Sequence, residues 1–256
     1  MSDNAALADR IWQAIATRTA IPPLTNDVPG LTVDAAYDIQ DAVVAMHLDT
    51  GAVITAAKLG LTSTAKQRQM NVSEPLYGWM TDAMQLPGDN VLETGRFIQP
   101  RVAPEVAFKT SRDLAGPAVT AAEVLAATEW LAPAIDVLDS RFTGYTFTLA
   151  DVTADNSSAA AYALGQPVAP EGDLRLTGCV FSKNGDLVAT ASGAAVMEHP
   201  AAAMAWFVRK LDQRGRHLPA GSVVLAGSWT AAIPVIPGDM VHAEFDRVGE
   251  VTVRCI

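Results

Sequence analysis

The sequence has few cysteines and no long apolar run. Two cysteines, Cys179 and Cys255, are too few for a disulfide framework, and neither lies at a spacing typical of zinc ligands. Nowhere do roughly 18 uncharged apolar residues occur in succession, so no membrane-spanning helix is predicted. The N-terminal segment carries Asp3, Asp9 and Arg10 and is unlike a signal peptide. We therefore expect a soluble protein of the cytoplasm.

Positive charge is also scarce. Lys and Arg number 18 against 28 Asp and Glu, which gives a net charge of −10. The longest basic cluster is Arg209-Lys210, and this argues against a protein that neutralises phosphates along DNA or RNA. The sequence contains no P-loop, no GxGxxG after a strand and no GxSxG motif. We expect a small-molecule partner, and neither nucleic acid nor membrane.

The distribution of apolar residues predicts two regions. Half of the residues are hydrophobic, which argues against a disordered chain. Apolar residues recur at helical spacing in the first 50 residues, and prolines within 21–30 separate two predicted helices. A strand is predicted at 51–58 and a short helix from Ser63. We predict an α+β protein with a helical N-terminal region at 1–70 and a mixed β catalytic body at 71–256.

Local signals define several elements of the β body. Asn184-Gly185 predicts a hairpin turn, because a type I′ turn requires positive φ at both central residues. Thr120 and Glu123 have the spacing of a capping box, and a further helix is predicted from Pro200 to Gly215. The predicted strands are 102–109, 133–139, 174–183, 187–197, 222–227, 240–246 and 249–254.

Two carboxylates lie within apolar strand segments: Glu105 within residues 102–108 and Asp136 within residues 132–138. Burial of an uncompensated charge is costly. Both side chains could face water on edge strands. Alternatively both point into a cleft, where a divalent cation compensates them, and oxygen ligands of this kind suit magnesium or manganese.

Two further polar features stand among apolar neighbours. Lys58 lies at the predicted end of a strand, where a partly desolvated ammonium can act in proton transfer. A lysine whose stem lies along the surface is the structural alternative. The tetrad Asp155-Asn156-Ser157-Ser158 could be a site element, or a plain Asx turn or helix cap.

Seven motifs, taken in order, suggest a family. They are Lys58-Leu-Gly-Leu-Thr-Ser63, Glu74-Pro-Leu-Tyr-Gly78 with Asp82, Pro100-Arg101 before Glu105, Asp136-Val-Leu-Asp-Ser-Arg141, Ala154-Asp-Asn-Ser-Ser158, His199-Pro200 and Pro237-Gly-Asp239. Together they resemble the hydratase and decarboxylase branch of the fumarylacetoacetate hydrolase superfamily. The resemblance extends over nearly the whole chain. This branch includes 2-oxopent-4-enoate hydratases and 4-oxalocrotonate decarboxylases of aromatic meta-cleavage pathways.

The resemblance implies a mixed β-roll behind a helical N-terminal region, assembled as a homo-oligomer. It implies a lyase that adds water to a 2-hydroxydienoate or 2-oxo-4-alkenoate, with a 2-oxo acid as substrate. A 4-oxalocrotonate-type decarboxylase is the alternative. A complex with a pathway partner enzyme, or a role as a non-catalytic subunit, also stays open.

The resemblance also implies metal ligands. The family holds Mg²⁺ or Mn²⁺ through a Glu-x-Glu pair and a Glu of the next strand, and these positions correspond here to Ala103, Glu105 and Asp136. We expect Glu105 and Asp136 to be the remaining ligands of Mg²⁺ or Mn²⁺. Because Ala103 offers no oxygen, three outcomes stay open: a weakened metal site, a metal-free variant that uses Lys58 and the strand carboxylates differently, or a lost or changed activity.

Further roles follow by the same resemblance. Lys58 is expected to be the proton shuttle or the oxyanion partner, Asp82 and Asp155 positioning or water-activating groups, and Ser158 a hydrogen-bond donor to the substrate carboxylate. Leu76 and Trp79 replace residues common in the family, which leaves a larger or more apolar substrate as a further alternative.

Overall fold

Two long helices precede the sheets. The computed structural model describes residues 3–63, 67 and 74–256. Helix α1 (Asp3–Thr17) packs against α2 (Val33–Asp49), as the apolar spacing predicts. The Thr32 side chain accepts a hydrogen bond from Ala35 N and caps the start of α2. The short helix predicted from Ser63 falls on residues outside those described.

The strands of the described residues form a large and a small sheet. In chain order they are β1 (Ile54–Gly60), β2 (Leu76–Thr81), β3 (Val91–Leu92), β4 (Arg101–Thr110), β5 (Thr128–Leu138), β6 (Ala159–Leu164), β7 (Gly178–Lys183), β8 (Asp186–Ser192), β9 (Val223–Leu225), β10 (Ile233–Pro234), β11 (Met240–Phe245) and β12 (Gly249–Cys255). The large sheet has the order β2-β1-β9-β4-β5-β6, with β10 paired to β4, and the small sheet has the order β3-β12-β11-β7-β8. Both sheets are mixed, because β1 runs parallel to β9 and β12 runs parallel to β3.

From residue 74 onward, three α-helices lie among the strands: α3 (Ala121–Ala126), α4 (Leu149–Ala154) and α5 (Pro200–Gln213). The capping box predicted from Thr120 and Glu123 is present at α3. The Asn184-Gly185 turn joins β7 to β8 with both residues at positive φ, so this hairpin prediction is confirmed. Among the described residues no helix is long and apolar enough to cross a bilayer.

The main core lies between the two sheets and α5. It receives alternate residues of β4, β5 and β9 from one face of the large sheet, together with residues of the small sheet and of α5. Cys179 and Cys255 are buried there as free thiols, as expected. A separate apolar cluster joins α1, α2 and α4. The predicted α+β architecture, with helices ahead of a mixed β body, is confirmed.

The boundaries differ from the predicted ones at β1. This strand covers Ile54–Gly60 rather than 51–58, so Lys58 lies inside the strand. Strand β1 pairs with β2 and β9, so the large sheet draws on residues from both sides of the division at residue 70. That division stays a proposal about the chain's organisation.

Candidate functional site

Three charged side chains lie on one face of the large sheet. Ala103 of β4 is paired directly with Asp136 of β5. Glu105 shares that face, because strand residues two apart point the same way. Lys58 belongs to it too, since Leu225 of β9 pairs with Lys58 on one side and with β4 on the other. We refer to this face, which is opposite the main core, as the site face.

Lys58 and Asp136 form a buried ion pair. Lys58 Nζ lies 2.5 Å from Asp136 Oδ2, and the two side chains are 1% and 0% exposed. Such a charge-assisted hydrogen bond gains strength away from water. An ammonium has three donors. Within the described residues Asp136 is the one hydrogen-bond acceptor found for Lys58 Nζ. The surface alternative for Lys58 is therefore wrong.

Glu105 is buried beside this pair. Its Oε2 accepts a hydrogen bond from Gly227 N at 2.8 Å, and its Oε1 accepts one from Ser228 Oγ at 3.0 Å. Burial raises the pKa of Glu105, and the negative charge of Asp136 raises it further, although Lys58 and the two donors act in the opposite direction. Glu105 therefore keeps its proton to a higher pH than an exposed glutamate.

The backbone after β9 must approach Glu105 closely. Gly227 has a φ of +112°, and a Cβ at this position would lie 2.1 Å from Thr62 Oγ1. A larger residue would push the loop away from Thr62 and move the Gly227 N–H from the carboxylate. Glycine is therefore required for the N–H that holds Glu105.

A second buried ion pair joins Arg141 to Asp155. Arg141 Nε donates to Asp155 Oδ1, Nη2 donates to the Asp155 carbonyl oxygen, and Nη1 donates to the Ala159 carbonyl oxygen. Asp155 Oδ2 accepts from Arg141 N at 3.2 Å and from Ser158 Oγ at 3.1 Å. Burial raises the pKa of Asp155 to about 6, while the Arg141 charge lowers it. Both Asp155 oxygens are already hydrogen-bonded, which suits a positioning role.

A strained turn follows Asp155. Asn156, Ser157 and Ser158 have φ values of 51°, 58° and 53°, a region that residues with a Cβ adopt rarely. The Asn156 side chain accepts from Trp79 N at 2.8 Å and donates to Trp79 O at 2.7 Å, which fixes the turn on β2.

The turn lies next to the strand position opposite Lys58. Gly78 pairs with Lys58 between β2 and β1, and a Cβ on Gly78 would lie 2.3 Å from the Asn156 carbonyl oxygen. Only glycine leaves room for this approach. The turn is thereby held beside the strand that carries Lys58.

Asp82 occupies a different environment. It is exposed, and its Oδ1 accepts hydrogen bonds from Val53 N and Ala83 N, each at 3.0 Å, just after β2. These contacts stabilise a turn. The structure thus gathers Lys58, Glu105 and Asp136 into one buried group, sets the turn of Asp155 and Ser158 beside the same strands, and leaves Asp82 outside the group.

Comparison with known proteins decides the family. The family model described as "Fumarylacetoacetate (FAA) hydrolase C-terminal" matches residues 50–256. The chain belongs to the fumarylacetoacetate hydrolase family. A 4-oxalocrotonate decarboxylase of Pseudomonas sp. (strain CF600) is 39% identical over 98% of this chain and 96% of the relative. A 2-hydroxyhexa-2,4-dienoate hydratase of Comamonas testosteroni is 33% identical over 96% of this chain and 94% of the relative.

Solved structures of one relative agree over the whole fold. The 4-oxalocrotonate decarboxylase from Pseudomonas putida G7, complexed with magnesium and adipate, superposes with a TM-score of 0.96 at 36% identity, covering 99% of this chain and 97% of that chain. Its complex with calcium and acetate gives a TM-score of 0.94 at the same identity and coverage. Both of these complexes contain a divalent cation.

The donor set of this family member does not match a divalent site of three carboxylates. Among the described residues no group of three or more His, Cys, Asp and Glu side chains is placed to hold a metal ion. Glu105 and Asp136 provide oxygen ligands, whereas Ala103, directly opposite Asp136, provides a methyl group. Asp136 is engaged by Lys58 as well.

Sequence reasoning missed several residues that shape the site. The donors to Glu105 are Gly227, the last residue of the predicted strand 222–227, and Ser228, which follows it. Nothing in the sequence indicates that this strand lies beside β4. Arg141 stands in a motif quoted above, yet its pairing with Asp155 depends on the fold. Asn156 belongs to the tetrad singled out from the sequence, but its hydrogen bonds to Trp79 depend on the fold.

Proposed function

We propose that this protein is a lyase of the 2-oxo-alkenoate hydratase type, which forms the enolate of a small 2-oxo acid. One observation carries the proposal: the buried Lys58 ammonium lies beside Asp136 on the same face as Glu105. Negative charge that develops on the C2 oxygen of such a substrate requires a positive partner held away from water. The hydratase and decarboxylase names of the relatives support this reaction class.

We assign two functions to Lys58, the transfer of a proton and the stabilisation of negative charge on the substrate. In the hydration of a 2-hydroxydienoate, the C2 hydroxyl loses a proton while C5 gains one, and the oxygen of water then adds to C4 while C3 gains a proton. Lys58 stabilises the C2 oxyanion and exchanges its proton, and Asp136 keeps the ammonium in place. Glu105 is a second proton-holding group on this face.

The remaining predicted residues are assigned to positioning. Asp155, held by Arg141, fixes the turn that carries Ser158. Ser158 as a donor to the substrate carboxylate stays a prediction, as does any water-activating role of Asp82 or Asp155. Of the described residues on the site face, only Glu105 and Asp136 offer carboxylates to Mg²⁺ or Mn²⁺. The chemistry is therefore assigned to side chains of the protein.

A 4-oxalocrotonate-type decarboxylase is the second candidate. The 39% identical relative and the structural relative with a TM-score of 0.96 both carry that name. Loss of carbon dioxide from a 2-oxo-alkenedioate yields the same kind of enolate, so Lys58 would act in the same way. In either case we place the enzyme in aromatic meta-cleavage catabolism. We propose that it acts in the cytoplasm as a homo-oligomer. A complex with a pathway partner enzyme stays a prediction.

The experiment that tests the proposal uses two substrates. Purified protein is incubated with 2-hydroxypenta-2,4-dienoate and with 4-oxalocrotonate, while dienol absorbance and carbon dioxide release are followed. Loss of the dienol without carbon dioxide supports hydration, and release of carbon dioxide supports the second candidate. Turnover of neither substrate contradicts both, provided that circular dichroism shows a folded protein.

A further inference from the structure

We infer that Lys58, rather than a tightly bound divalent cation, supplies the positive charge of this site. The inference rests on the proposed function only for the identity of the reacting oxygen. Its other grounds are the positions of Ala103, Glu105 and Asp136 on the site face and the contacts that these carboxylates already make.

The first ground is the missing oxygen. Ala103 is buried and paired with Asp136 across β4 and β5, and Glu105 lies two residues along the same strand face. Cross-strand partners lie closest of all side chains in a sheet, so position 103 is where a further ligand would meet the other two. A methyl group cannot ligate a cation, and Mg²⁺ and Mn²⁺ depend on oxygen ligands.

The second ground is that Oδ2 of Asp136 and both carboxylate oxygens of Glu105 accept hydrogen bonds from donors of the chain. Asp136 Oδ2 lies 2.5 Å from Lys58 Nζ. Glu105 accepts from Gly227 N at 2.8 Å and from Ser228 Oγ at 3.0 Å. A cation would have to share these oxygens with an ammonium that repels it.

The third ground is the balance of charge. Three carboxylates beside Lys58 would leave two negative charges to match a divalent cation. Of the described residues, Glu105 and Asp136 beside Lys58 leave at most one. Lys58 has three N–H donors and directs one to Asp136, so two can reach the C2 oxygen and the carboxylate of a 2-oxo acid. Arg141 is committed to the turn instead, because three of its five side-chain N–H donors go to Asp155 and Ala159.

Titration with Mn²⁺ tests the inference without measuring activity. Calorimetry and electron paramagnetic resonance should find that the intact wild-type chain binds Mn²⁺ only with a Kd weaker than about 1 mM. Ala103→Glu should tighten binding by at least roughly tenfold, because it adds an oxygen ligand and a charge opposite Asp136. Ala103→Gln is the matched control of equal size, and it should change the Kd much less. The gain in Ala103→Glu should vanish in the Ala103→Glu/Asp136→Asn double variant.

Two results would overturn the inference. One is wild-type binding of Mn²⁺ with a Kd below about 10 μM that is lost in Asp136→Asn. The other is a folded Ala103→Glu variant with an unchanged Kd. If Ala103→Glu does not fold, Ala103→Asp replaces it, and the wild-type titration still decides. Lack of turnover with both substrates would contradict the proposed function while leaving the titration valid.

Discussion

Two ion pairs are buried on both sides in the part of the chain described, and they are built in opposite ways. In the first, Arg141 directs its side-chain donors to Asp155 and Ala159, and both Asp155 oxygens are hydrogen-bonded. In the second, Lys58 directs one hydrogen bond to Asp136. The first pair uses three of the five side-chain donors of Arg141 and both oxygens of Asp155 inside the protein. The second uses one of the three ammonium donors of Lys58 among the described residues, and we propose that the others bind the substrate.

We propose that this difference separates a positioning pair from a catalytic one. A buried charge whose donors and acceptors are all satisfied contributes mainly by holding neighbouring segments in one arrangement. The Arg141–Asp155 pair fixes the turn that approaches Gly78 of β2. A buried ammonium with unused hydrogen-bond donors is stabilised when an anion binds beside it. Stabilisation of an enolate requires such a group.

The largest expected effect is on stability and comes from the first pair. Arg141→Met leaves the Asp155 carboxylate buried without its partner, so the free energy of unfolding should fall by about 3–5 kcal/mol. Urea denaturation measures this change. Arg175→Met is the matched control, because Arg175 forms an exposed ion pair with Asp173 and its loss should be barely measurable. Equal stabilities for the two variants would show that the first pair is not structural.

A change in the second pair should lower turnover as well as stability, because Lys58→Met also leaves a buried carboxylate without its partner. Lys58→Met should lower turnover at least about a hundredfold, because it removes the charge that meets the enolate and the proton it exchanges. Lys109→Met is the control, since Lys109 pairs with Glu129 at the surface. Turnover within about tenfold of wild type would exclude Lys58 from the chemistry.

A double variant separates stability from catalysis at the same pair. Lys58→Met/Asp136→Leu replaces both charges by apolar groups, which usually restores stability. We expect unfolding free energy near the wild-type value with turnover still as low as in Lys58→Met. Recovery of turnover in this double variant would contradict the assignment of Lys58.

The smallest expected effect concerns the pKa of His47, a group on which the charge of Arg141 acts. Burial and, as a smaller cause, the positive charge of Arg141 together lower the pKa of His47 to about 4. The folded protein therefore prefers neutral His47, and acidification from about pH 6.5 to pH 4 protonates the unfolded state first. Stability present above pH 6.5 should be lost in this window, by about 1–2 kcal/mol for a partly exposed histidine.

Stability measured against pH tests this effect. His47→Gln should lose less stability than the wild type between pH 6.5 and pH 4. His217→Gln, at an exposed position, is the control for the loss of a histidine as such. Identical pH dependence in His47→Gln and wild type would show that His47 does not titrate with folding.

Local sequence signals predicted the elements whose causes are local. The capping box at Thr120 and the Asn184-Gly185 hairpin depend on residues within a few positions, and both are present. Strands β2 and β6 were not predicted. Strand β2 is held by pairing with β1, and β6 by pairing with β5. Pairing across the intervening segments leaves no local signal in the sequence. Both ends of β1 were misplaced for the same reason, since its pairing with β2 runs from Ile54 to Gly60.

The sequence by itself determined which residues carry charge inside apolar strands, since Lys58, Glu105 and Asp136 interrupt hydrophobic runs and alternation limits each to one of two faces. Only the tertiary structure decided that these faces coincide. The register between β4 and β5 sets Ala103 opposite Asp136, and β9 joins Lys58 to the same face. Strand order and register depend on contacts far apart in the chain, so the pairing of Lys58 with Asp136 could not be obtained from either segment alone.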